Sequence, residues 1–214
     1  MFFLPDWSTI LQFAVATVVI AITPGPDMTL FVGRALSDGK GAGLACMAGA
    51  MTGIVIHTSL VALGLSALIV ASPQAFLVLK IVGAGYLIWL AFQAIRHGSA
   101  FSPEKMGAKR TRSLWQNWLT GLGINLMNPK IILFFMTFLP QFVSAHDPHA
   151  PSKLFFLGLL FIPLSLPIVV PMVLAADRFA GLLRKSPRVT RVTDYLFAGV
   201  FSAFALKILT AQAR

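Results

Sequence analysis

From Gly41 to Leu79 the chain runs 39 residues without an Asp, Glu, Lys or Arg. One bilayer crossing needs about 20 residues. The run is therefore two crossings, with Ser72-Pro73 as the turn between them. Lipid offers no hydrogen bonds, so spanning segments must be helices or strands of a closed barrel. Runs this long without period-2 alternation predict helices. The same reasoning places helix 1 at about Ser8–Gly33, helix 2 at Ala42–Ala71 and helix 3 at Gln74–Arg96. Helix 4 follows at about Leu114–Pro140, helix 5 at Leu154–Ala176 and helix 6 at Val192–Thr210. Six spans fill residues 1–214 as one all-α transmembrane domain, and the first is read as a retained helix because no basic residue precedes its apolar stretch.

Composition excludes the soluble alternatives. Hydrophobic residues make up 57% and charged ones 11%, against about 25% charged in an average soluble domain. A water-soluble enzyme, a nucleic-acid binder and a disordered tail are all excluded as readings. The lone cysteine, Cys46, excludes an internal disulfide. The net charge of +10 is unevenly placed. Twelve Lys and Arg lie in the loops after helices 1, 3 and 5, and three lie on the other side. The positive-inside rule makes the first side cytoplasmic and turns both termini outward. The basic run Lys105–Arg112 fits contact with anionic headgroups.

A shift of 105 residues aligns Ser8 with Ser113, Gln12 with Asn117, Thr23 with Asn128 and Pro24 with Pro129. Each half then has a proline-broken first helix, and the third helices carry Gly83-Ala84-Gly85 and Ala198-Gly199. Three helices per half is odd, so the expected fold is two inverted three-helix repeats with broken first helices, a carrier layout. Repeat 1 spans about 1–97 and repeat 2 about 113–214, with a cytoplasmic linker at about 98–112.

The breaks carry the chemistry. Proline removes a helical hydrogen bond and clashes with the preceding turn. Thr23-Pro24-Gly25-Pro26-Asp27 should unwind helix 1, and Asn128-Pro129-Lys130 should interrupt helix 4. Backbone groups freed at membrane depth are tolerated only where they are buried in protein or line a cavity. Asp27 and Lys130 each follow the break of their own half, where a charge is expensive. Two opposite charges at equivalent depth can offset that cost by facing each other. They can also exchange each other for a zwitterion, with Lys130 taking its carboxylate and Asp27 its ammonium. Asn125 and Asn128, three apart, are expected on one face as neutral donors.

In helix 2, Ala45, Gly49, Gly53 and His57 recur every four residues, a seam of small residues with Cys46 placed off it. Gly49 and Gly53 are read as packing residues. His57 is read as a seam residue or a proton relay. Small-residue seams also permit a homodimer. Pro163, Pro167 and Pro171 should bend helix 5, which would flank the cavity with helix 2 and flex. His146, Asp147 and His149 form a polar loop, and metal binding there is not expected. No phosphate loop, HExxH, CxxC or GxSxG occurs, so no cofactor, metal or enzymatic activity is expected.

The TPGPD break, the following Gly39-Lys40-Gly41-Ala42-Gly43-Leu44, Gly49-x-x-x-Gly53 and Asn125-x-x-Asn128-Pro129-Lys130 together resemble the LysE superfamily of amino-acid exporters over essentially the whole chain. Within it the chain is most similar to the RhtB branch, which exports homoserine, threonine and related amino acids. The resemblance implies six helices, a bacterial inner-membrane location and proton-driven efflux of small amino acids or their derivatives. The partners implied are an amino-acid substrate, protons and the lipid bilayer. The competing readings are a divalent metal-ion exporter, which would want paired acidic residues in the core, and a membrane assembly subunit without transport.

Overall fold

The computed structural model describes residues 4–71, 112–144 and 147–178 continuously, with isolated positions within 74–96 and 180–206. Helices 3 and 6, the Ser72-Pro73 turn, most of the 98–112 linker and His146 therefore lie outside the described residues, wholly or for the most part. Among the described residues every regular element is helical. In chain order these are α1 (Trp7–Ile22), α2 (Pro26–Asp38), α3 (Lys40–Ala71), α4 (Leu114–Leu126), α5 (Pro129–Leu133) and α6 (Ala150–Leu174). A π-helical turn, Phe134–Phe138, and a 3-10 turn, Leu139–Phe142, continue α5.

Local chemistry sets the boundaries. Asp6 caps α1 by accepting from the Thr9 amide at 2.7 Å. Thr23 ends α1 in an extended conformation because a proline follows it. Pro26 then opens α2 and Pro129 opens α5, at the first helical position where a missing amide costs nothing. Ser113 and Gln116 form a capping box at the start of α4.

By length and apolarity, the stretch Lys40–Gly64 of α3 and the whole of α6 can each cross a membrane. The pairs α1–α2 and α4–α5 (with its continuation to Phe142) qualify as broken spans, bent by 50° and 53°. The two breaks read from the prolines are thus present, with similar bends. The chain is a multi-pass membrane protein, and its burial pattern agrees. Leu11, Val15 and Val18 on α1 are exposed, whereas the buried face of α4 is Asn117, Gly121 and Asn125. Apolar side chains face outward and polar ones inward, as lipid requires.

The closest helix crossing is between α3 and α4. A Cβ on Gly49 would lie 1.9 Å from the Trp118 carbonyl oxygen, and one on Gly121 1.9 Å from that of Cys46. Backbone meets backbone here because neither helix has a side chain in the way. Cys46 is on this seam, not off it: it is fully buried and its thiol faces Asn117. The spacing of four began one residue early, since the buried stripe drifts by pairs such as Cys46–Met47, Gly49–Ala50 and Gly53–Ile54. The Gly49 seam is consumed within the chain.

Helix α6 runs as one helix through Pro163, Pro167 and Pro171. All three prolines are exposed. The α6 face turned inward is instead Phe161, Ser165, Val169 and Val173. Two residues advance a helix by about 200°, so the proline stripe lies opposite the inner one. Phe134, Phe135 and Phe138 of the π-helical turn pack with Phe13, Phe142 and Phe161 in a buried aromatic cluster.

Candidate functional site

The two breaks meet. Unwinding at Thr23 leaves the last carbonyls of α1 without helical donors. The Lys130 ammonium donates to the Thr23 carbonyl at 2.7 Å, a cation on a helix C-terminus. Gly25 makes room for it, since a Cβ there would lie 3.3 Å from Nζ. The Asp27 carboxylate sits in the first turn of α2, at the positive end of that helix. One of its oxygens, Oδ2, accepts from the Asn125 side-chain amide at 2.8 Å. Its other oxygen, Oδ1, is buried without a hydrogen-bond partner.

The asparagines divide their work. Helix α4 ends at Leu126, so Asn125 and Asn128 do not share a helix face as their spacing suggested. Asn128 is the N-cap of α5, accepting from the Lys130 amide at 3.1 Å. Its side chain also reaches Asp27. Asn125 is held from behind by α3. A Cβ on Gly53 would lie 2.4 Å from Asn125 Oδ1, so the glycine is the notch that receives this amide. One turn on, His57 Nε2 lies 3.4 Å from the Asn125 carbonyl oxygen, and its ring stacks on Phe135.

Thr23, Gly25, Asp27, Asn125, Asn128 and Lys130 all line one cavity of about 50 Å³. Pro24, Pro26 and Pro129 shape the walls without lining it, and His57 stands one layer back. Helices α3 and α6 both flank the cavity, as expected for helices 2 and 5. The apolar lining was not foreseen: Met28 and Phe31 from α2, Met51 and Ile54 from α3, and the α6 stripe. The signal was present as Phe161, Ser165 and Val169 at spacing four, but the proline stripe beside it drew attention first.

Elsewhere, Asp147 accepts from the His149 amide and pairs with Lys153. The hydrogen bond from Lys153 holds its carboxyl below the usual range. Among the described residues no group of three His, Cys, Asp or Glu side chains is placed to hold a metal ion.

A homoserine/homoserine lactone efflux protein of Salmonella typhimurium is 28% identical over 200 residues, covering 94% of this chain and 95% of that protein. A leucine efflux protein of Klebsiella pneumoniae is 27% identical over 209 residues, covering 94% and 95%. A membrane protein of Vibrio cholerae is 27% identical over 203 residues, covering 95% and 97%. No solved structure matches. The family described as LysE type translocator matches residues 18–212, and the chain belongs to it.

Proposed function

We propose that this protein is a secondary-active carrier that exports small amino acids or their derivatives across the bacterial cytoplasmic membrane, driven by protons. The observation that carries this reading is the convergence of Asp27 and Lys130, from two separate broken spans, on one cavity. One carboxylate and one ammonium suit a zwitterion of the opposite arrangement. Lys130 takes the substrate carboxylate, helped by free amides at the α2 N-terminus. Asp27 takes the ammonium through the oxygen that Asn125 leaves unpartnered. Protonation from outside neutralises Asp27 and weakens its hold on the ammonium, which couples proton uptake to release. The names of the efflux relatives support the same direction of transport.

The cavity has room for only a few water molecules. Loading therefore requires the flanking helices α3 and α6 to separate, and that separation is the alternating-access step. The matched bends of the two broken spans support two inverted repeats, 1–97 and 113–214, with both termini outside. A divalent cation would need a second carboxylate where Lys130 stands.

Overexpression in a sensitive bacterial host tests the reading. Resistance to excess amino acids or their toxic analogues is expected, without resistance to manganese or cadmium. The reverse pattern overturns it.

A further inference from the structure

Resting on the reading above, the geometry points to a narrower substrate class: neutral amino acids whose side chains are apolar and of leucine or methionine size, with cationic and anionic side chains excluded. The cavity is polar at one end only. Among its lining residues the charged groups are Asp27 and Lys130, both at the breaks and both engaged by the backbone amine and acid of a zwitterion in the proposed pose. The wall contributed by α6 is Phe161, Ser165, Val169, Met172 and Val173. Its single hydroxyl, Ser165, already donates to the Ile162 carbonyl at 3.0 Å, so it offers a substrate acceptor capacity alone.

A second charge on the substrate would be carried into this wall without a partner, which is costly in an apolar setting. An apolar side chain gains the area it buries. Met28, Met51 and Met172 contribute unbranched, polarizable side chains that adapt to different shapes. They let a small cavity open around a bulky side chain without a matched rigid pocket, which favours tolerance among apolar side chains over strict choice of one.

Counterflow in proteoliposomes holding the full chain tests this. Labelled leucine is the probe, and unlabelled leucine, methionine, norleucine, alanine, lysine and glutamate are the competitors. Leucine, methionine and norleucine should compete strongly, and lysine and glutamate should not compete at about a hundredfold excess. Val169→Phe, which fills the wall, should raise the half-saturation for leucine about tenfold while leaving that for alanine nearly unchanged. Val169→Ala covers the case in which the larger side chain prevents folding, and should shift preference toward the bulkier norleucine. Lysine competing as well as leucine overturns the inference and leaves the carrier reading intact. So does a Val169 variant that moves leucine and alanine alike. Absence of counterflow for every amino acid, with folded protein in the membrane, overturns the carrier reading and this inference together.

Discussion

Asn125 donates its side-chain amide to Asp27 at 2.8 Å, joining residues 98 positions apart and tying the second broken span to the acid of the first. The same residue is gripped from behind by Gly53 and His57 of α3. A hydrogen bond to a charged group contributes about 1.5–3 kcal/mol. Asn125→Ala should therefore slow export by roughly tenfold to a hundredfold while the protein still reaches the membrane. Initial efflux rates normalised to membrane-inserted protein check this, and an unchanged rate would remove Asn125 from the site.

The charges themselves are separable from their pairing. If Asp27 and Lys130 served only to neutralise each other, exchanging them would restore both expression and export. The double variant Asp27→Lys with Lys130→Asp is expected to restore expression over either single variant and to remain without export. Quantified membrane protein beside transport distinguishes the two.

Gly49 and Gly53 should fail differently. At Gly49 a methyl group meets backbone of α4 at 1.9 Å, so the helices must move apart. Overpacking of this kind costs about 1–3 kcal/mol or more, and Gly49→Ala should lower the thermal midpoint in detergent. At Gly53 the methyl group meets the Asn125 amide, a side chain that can swing away. Gly53→Ala should cost less stability and more transport. Equal loss of both in both variants would contradict the assignment of the notch.

His57 lies behind Asn125 rather than on the cavity wall. A role in holding the break predicts that His57→Gln, which keeps a donor, retains most export and its pH dependence, whereas His57→Leu loses export. A proton-relay role predicts that His57→Gln abolishes the pH dependence. Efflux measured against external pH in both variants decides between them.

Much of this arrangement was legible in the chain because its strongest signals are local. Pro24, Pro26 and Pro129 each fix the backbone of the residue before them, so both breaks could be placed to the residue. The seam at Gly49 followed from spacing alone. Less legible was whatever depends on contact between helices. The spacing of Asn125 and Asn128 suggested one face, yet Pro129 turns Asn128 into a cap and leaves Asn125 to reach Asp27. Cys46 looked peripheral because the buried stripe of α3 drifts slowly around a long helix. The π-helical turn at Phe134–Phe138 leaves no mark in an apolar run, since every register there is equally hydrophobic.

The central claim is that the acid of the first break couples protons to amino-acid release, and efflux from proteoliposomes preloaded with labelled amino acid tests it most directly. Wild-type protein should export faster when an imposed pH gradient drives protons against the direction of substrate movement. Asp27→Asn should lose that acceleration and most of the transport. Wild-type efflux that ignores the gradient, or Asp27→Asn efflux with its pH dependence intact, would contradict the account.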